Sequence, residues 1–375
     1  MYDPRGSMGL GFSGYYRSVA YFPLFYSSLL GVEHATCRLI ESGADVNQQI
    51  PGYSSALHAA VKCGHYEIAQ ILLESGADAN RWNEDYGTPL ECGVAELHLS
   101  ICQLLIDHGA DVNAATIHGS VLLAAVARLD PSTLHGVKIV QLLLTHGANV
   151  NARMARGWDE EYTALYLASA KGFLGIVRLL LDRGADINAT GGNKVGTALQ
   201  AASAYGHLEI IRLLLDKGAD INAPGGNWVG TALQEASRHD RVETVQLLLE
   251  QGADVNAPAG ENGTALQAAC AGRFVQMVQL LLTHGADVNA WTDYLLLTKH
   301  YERERPSTAL QCALVDDRAN IVELLIEYGA DMSATNVNGR TALDLAKKWG
   351  KEESIQVLVK RGATETDAVS EPESE

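Results

Sequence analysis

The chain has 375 residues, 47% of them apolar, and carries 28 Lys+Arg against 45 Asp+Glu for a formal net charge of −17. That apolar share is ample for folded cores and argues against wholesale disorder. The acidic balance lacks the clustered Lys/Arg that phosphate contacts need, which argues against direct nucleic-acid binding and against adhesion to anionic membranes.

In chain order, residues 1–22 come first, with Gly6, Gly9, Gly11 and Gly14 among Phe12, Tyr15, Tyr16, Tyr21 and Phe22. They are too few for a domain and are expected to cap the apolar end of the segment that begins at Pro23. Ser18 to Val32 resembles the apolar part of a signal peptide, but Pro23, Ser27 and Ser28 interrupt it and it fits the first repeat, so it is read as folded structure. From Pro23 to Ala363 one period organises the chain. Gly-Ala-Asp starts at Gly43, Gly76, Gly109, Gly184, Gly218, Gly252, Gly285 and Gly329, with variants at Gly147 and Gly362. The ten starts are 33, 33, 38, 37, 34, 34, 33, 44 and 33 residues apart. Thr-Ala-Leu, or a close variant, precedes nearly every one: Ser55, Thr88, Ser120, Thr163, Thr197, Thr231, Thr264, Thr308 and Thr341. The first unit has Phe22 in place of the Thr.

Thr197 to Asn222 shows how a unit folds. Thr197-x-x-Gln200 is a capping box. Ala198, Leu199, Ala201 and Ala202 form a short helix whose small side chains permit close approach. Gly206-His207 turns the chain, and Ile210 to Leu215 make a second, largely buried helix that ends at Gly218, a left-handed C-cap. Asp220-Ile221-Asn222 then enters an extended finger. Residues 364–375, with Glu365, Asp367, Glu371, Glu373 and Glu375, are expected to form a disordered acidic tail.

This pattern resembles the ankyrin repeat, Thr-Pro-Leu-His…Gly-His…Leu-Leu…Gly-Ala-Asp-Val-Asn, over about residues 23–363. The variant Gly-Gly-Asn-x-Val-Gly-Thr-Ala-Leu-Gln is similar to arrays common in filamentous fungi. The resemblance implies a mainly α solenoid of stacked helix-turn-helix units with β-hairpin fingers, working as a non-catalytic protein-protein interaction scaffold or adaptor. It also accounts for much that resembles chemistry. Gln200, Gln234, Gln267 and Gln311 read as caps rather than as a polar binding track. His108, His146 and His284 precede the C-cap Gly, where they suit the helix dipole. His65, His98 and His207 occupy the helix–helix turn. Eight Asp residues belong to Gly-Ala-Asp itself.

Departures from the period are the informative places, because binding residues sit on loops held by a rigid scaffold. Insertions are expected at 130–135, 153–161 and 291–307, the last with the apolar run Tyr294 to Leu297. Trp82, Trp158, Trp228 and Trp291 fall in fingers rather than helices, and aromatic anchors carry much interface energy; packing on a neighbouring finger is the other reading. The residues before the helix–helix turn index a concave face. There Arg128, Lys171 and Arg238 form a basic minority that suits an acidic partner segment, with Tyr205 and His239 beside them. Partner contacts are therefore expected at Trp82, Trp158, Trp228, Trp291, Tyr294, Arg128, Lys171, Tyr205, Arg238 and His239.

The alternative is an ankyrin-fold enzyme, or a small-molecule-binding auxiliary protein of a biosynthetic pathway. Glu235 stands where neighbouring units have Ala201, Ala268, Leu167 or Leu345, and His239 follows at i+4. With Tyr205 one unit away, they offer an acid–base group under the 291–307 finger; the bland reading is an i,i+4 helix pair. No P-loop, HExxH or GxSxG motif is present. The six cysteines include no CxxC pair and are expected as reduced thiols filling cores. No cofactor, metal or membrane span is expected, and the compartment is read as cytoplasm or nucleus.

Overall fold

A computed structural model describes residues 22–50, 55–84, 86–116, 119–128, 134–155, 161–191, 195–225, 229–258, 263–292 and 306–364. The expected N-terminal cap and acidic tail lie outside the described residues, apart from Phe22 and Thr364 at their edges. Contacts divide the chain into two compact units, Met1–Ala152 and Arg153–Glu375.

The first unit is four helix pairs: α1 (Pro23–Leu29) with α2 (Glu33–Glu41), α3 (Ala56–Lys62) with α4 (Tyr66–Glu74), α5 (Pro89–Ala95) with α6 (Leu99–Asp107), and α7 (Val121–Arg128) with α8 (Leu134–Thr145). The second unit is six: α9 (Ala164–Ala170) with α10 (Leu174–Asp182), α11 (Ala198–Tyr205) with α12 (Leu208–Asp216), α13 (Ala232–Arg238) with α14 (Val242–Glu250), α15 (Ala265–Gly272) with α16 (Val275–Thr283), α17 (Ala309–Ala313) with α18 (Ala319–Glu327), and α19 (Ala342–Lys348) with α20 (Glu352–Lys360). Within each unit first helices stack on first helices, and second helices lie beside second helices.

Side chains of Ser55, Thr88, Ser120, Thr163, Thr197, Thr231, Thr264, Thr308 and Thr341 each accept the amide three residues on, fixing where nine of the ten first helices start. Phe22 cannot do this, and α1 starts without a side-chain cap. The apolar faces then meet between pairs, around Leu57, Leu72, Leu90 and Leu105 in the first unit and Leu165, Ile176, Leu180 and Leu199 in the second, all fully buried.

Polar side chains tie neighbouring repeats. Asn47, Asn80, Asn113, Asn256 and Asn289 each donate through Nδ2 to the carbonyl of the next Gly-Ala-Asp/Asn glycine, at 2.9–3.1 Å. Their Oδ1 atoms accept the amide of that motif's third residue at 2.7–2.8 Å. The Asp of the motif accepts the amide two residues on, as at Asp78–Asn80 and Asp254–Asn256, an Asx turn. The repeated acids are thus structural.

Fingers pair only briefly among the described residues. Ala115–Thr116 pairs with Gly119–Ser120 in the first unit, and Arg153–Ala155 with Glu161–Thr163 in the second. Single bridges join Asn83 to Gly87 and Gly191 to Val195. Part of the 130–135 insertion is helix: α8 begins at Leu134 and runs 12 residues where the other second helices have nine. The 153–161 insertion is the hairpin Arg153–Ala155/Glu161–Thr163; the tip between them, and 293–305, lie outside the described residues.

Cys92, Cys102, Cys270 and Cys312 are buried, as core thiols should be, but Cys63 is exposed and Cys37 half-buried. These last two sit at the end of a first helix and on a second helix, outside the cores, so the core reading fails for them. Burial pushes the Cys92, Cys102 and Cys312 thiols up to about 12, holding them as thiols.

Candidate interaction site on the second unit

The repeat needs one residue before each helix–helix turn and one after it, and these two columns build the site. The turn residue adopts positive φ, as in Gly172 (77°) and Gly206 (79°), which glycine does without strain. The residue after it reaches back to the preceding repeat: His207 Nε2 lies 3.0 Å from the Ala170 carbonyl, and Arg241 Nε donates to the Ala204 carbonyl at 3.1 Å. A Cβ on Gly172 would meet the His207 ring at 2.7 Å, so glycine there also makes room for the bridging side chain.

Between these columns, α9, α11 and α13 enclose a cavity of about 330 Å³. Its lining includes Tyr166, Gln200, Tyr205, Val229, Glu235, Arg238, His239 and Arg241. Glu235 is 6% exposed. Its Oε1 accepts the Gly230 amide at 2.9 Å. Its Oε2 has Arg238 Nη2 at 3.7 Å and His239 Nε2 at 3.9 Å, too long for hydrogen bonds. Arg238 Nη2 instead lies 3.3 Å from His239 Nε2, which can only accept from a guanidinium and so must be the unprotonated nitrogen. Burial first, and the Arg238 charge next, lower the His239 pKa, which keeps that imidazole neutral near pH 7. Arg238 Nε is buried without a partner.

The structure therefore brings Glu235, His239 and Tyr205 into one cavity. As an acid–base pair Glu235 and His239 stand apart, with Arg238 nearer to the imidazole than the carboxylate is. Tyr205, 57% exposed, stacks on His207 at 6.2 Å. Lys171 lies one repeat earlier, its ammonium 5.8 Å from the Phe173 ring centre, with its pKa lowered by partial burial. Arg128 is exposed at the end of α7, in the first unit.

The ankyrin-repeat family model, built of three copies, matches residues 24–116, 132–225, 192–259, 226–292 and 292–368. The chain is an ankyrin-repeat protein. Comparison with curated proteins finds no match. Ankyrin repeats are generally protein-interaction modules, which supports a scaffold role.

In this ankyrin-repeat protein the four Gln residues are buried caps. Gln200, Gln234 and Gln267 complete capping boxes, and their Nε2 atoms donate to Ala223, Pro258 and Ala290 carbonyls at 2.9–3.0 Å. His108, His146 and His284 bond through Nδ1 to the carbonyl four residues back at 2.8–3.0 Å. Of the finger tryptophans, Trp82 is 47% and Trp291 52% exposed. Trp291 is also anchored, its indole N–H donating to the Thr335 carbonyl of the next finger at 3.1 Å, as the packing reading expects. Trp158, Trp228 and Tyr294 lie outside the described residues. Sequence reasoning missed Arg241 as a site residue. Its signal is the column itself: His65, His98 and His207 follow a turn residue, and there Arg241 replaces His.

Among the described residues no group of three or more His, Cys, Asp or Glu is placed to hold a metal ion, and no helix is long and apolar enough to cross a membrane.

Proposed function

We propose that this ankyrin-repeat protein is a non-catalytic scaffold that holds a partner protein against the first-helix ends of its second unit, with the exposed face of Trp291 as a further contact. One observation carries the reading: Tyr205 and His239, on successive repeats, are exposed at the lining of one cavity, with exposed Lys171 one repeat earlier in the same column. A preformed site of this kind loses little ordering entropy on binding. The proposal places the chain inside the cell, in cytoplasm or nucleus, and the four thiols buried as core hydrophobes are in keeping with a reducing compartment.

The test is position-specific photocrosslinking of the full chain in extract from its source cell. A benzophenone side chain at Lys171 or Tyr205 is expected to capture the same partner, and one at Gln246, exposed on the second-helix side, is not. Equal capture from all three positions, or from none, overturns the reading. Glu235-dependent turnover of a small molecule in the same extract favours the enzyme alternative, which uses the same cavity.

A further inference from the structure

We infer that the α9–α11–α13 cavity is a receptor for a carboxylate side chain of an acidic partner segment, and that buried Glu235 is its internal competitor. This rests on the scaffold reading above.

The charges decide the sign. Arg238 and Arg241 line the cavity, and Glu235 is the single carboxylate in it. With His239 neutral, the site carries one net positive charge in a chain of net charge −17. Neither guanidinium is saturated. Arg241 spends its Nε on the Ala204 carbonyl. Arg238 has a neutral acceptor at 3.3 Å and a carboxylate oxygen at 3.7 Å, while its Nε has none. A guanidinium presents five donors in a planar fork and pairs best with a carboxylate held bidentately. Glu235 cannot supply that geometry, because Gly230 fixes its other oxygen. A ligand carboxylate entering from the open side can.

The lining fits the rest of such a side chain. Ala201 and Ala204 form a small apolar wall, and Tyr166 and Tyr205 add ring surface and hydroxyls. At about 330 Å³ the cavity is near the lower limit of small-ligand pockets, about 300 Å³, so it suits one side chain better than a cofactor. The acidic remainder of the chain is screened beyond about 8 Å at physiological salt, so a local positive site still acts. A cation is the competing occupant, because Glu235 Oε2 makes no hydrogen bond; two flanking guanidiniums oppose it.

The two occupants predict opposite responses to one substitution. The probe is a fluorescein-labelled peptide with Glu residues spaced by Gly-Ser, compared with its Gln and Lys counterparts by polarisation titration of the full chain. The Glu peptide is expected to bind saturably and at least tenfold tighter than the other two. Arg238→Gln should weaken it at least tenfold. Glu235→Gln, which keeps an acceptor for Gly230, should tighten it about fivefold by freeing Arg238. Glu235→Ala serves as a second variant, since Ala201 and Ala268 fill that position in the flanking repeats. Lys360→Gln, outside the cavity, controls for net charge and should change nothing. Absence of saturable Glu-peptide binding overturns the inference. So does weaker Glu-peptide binding in both Glu235 variants, or preferential Lys-peptide binding that they abolish. If crosslinks still map to Lys171 and Tyr205 in that event, the acid receptor falls and the scaffold stands.

Discussion

The two units solve the same closure problem with different chemistry. Every repeat must hold the finger that follows its second helix. In the second unit an amide does it: Gln267 Oε1 accepts the Thr264 amide, while its Nε2 donates to the Ala290 and Ser307 carbonyls. In the first unit His58 occupies the equivalent place, with Nδ1 2.9 Å from Ser55 Oγ and Nε2 3.1 Å from the Gly87 carbonyl, 29 residues away. Both are buried. The amide cannot titrate; the imidazole can. The His58 joint is therefore acid-sensitive where the Gln267 joint is pH-indifferent.

Deleting an amide joint should have the largest effect. Gln267→Ala leaves the Thr264 amide and the Ala290 carbonyl without their partner, while the Ser307 carbonyl keeps the Thr292 amide, at about 1–3 kcal/mol for each group that water cannot reach. A loss of about 3–5 kcal/mol is expected, seen as an early transition in urea unfolding; a single unshifted transition would mean that the finger is held by something else. Acid should act nearly as strongly on the other unit. Burial lowers the His58 pKa from 6.5 to about 4, with the Gly87 bond opposing. The folded state thus binds fewer protons than the unfolded chain between these values, so stability falls as pH drops through 6.5 and the loss is complete near 4. At about 1.4 kcal/mol per unit this amounts to about 3 kcal/mol. His58→Gln imports the second unit's solution and should keep neutral-pH stability while flattening that window. Thermal melts at pH 7 and 5 decide it: an equal pH slope in wild type and variant removes His58 as the cause.

The same contrast explains what the sequence could show. The repeat boundaries, the Thr and Ser caps and the capping boxes at Gln200, Gln234 and Gln267 were legible, because each depends on residues three apart in one helix. The Asp of Gly-Ala-Asp was correctly read as structural for a similar reason. The Asn struts and the outward reach of Gln Nε2 were not legible, because their partners lie 23–40 residues away and are backbone carbonyls with no side-chain signature. The cavity was half legible. Glu235 and His239 stood out as a broken column, with Arg238 named beside them as part of a basic minority, but the i,i+4 pairing did not show the Arg238 guanidinium lying against the imidazole, and Arg241, which enters from the turn, was missed. His58 escaped notice because histidine is the family's ordinary residue at that position, and only burial makes it sensitive to acid.

The smallest effect expected concerns the turns rather than the joints. Gly31 and Gly64 in the first unit, and Gly172, Gly206 and Gly350 in the second, take positive φ at the helix–helix turn. Leu97, Asp240, Arg273 and Asp317 hold the same region at 54–70° without being glycine. For a residue with a Cβ this conformation costs about 1–2 kcal/mol, somewhat less for Asp. Replacing Leu97 would also remove a half-buried side chain, and replacing Arg273 would break its 2.7 Å bond to Asp316. Asp317 is tied to the amides of Glu353 and Ser354. Asp240 is exposed and, alone of the four, has neither a half-buried side chain nor such a bond, so Asp240→Gly isolates the backbone term. Relief of strain is partly offset by the greater freedom glycine gives the unfolded chain. A net gain of about 0.5–1 kcal/mol is expected, read as a higher melting temperature with unaltered Glu-peptide affinity. A melting temperature below wild type would mean that the Asp240 carboxylate supports the turn in a way its geometry does not reveal.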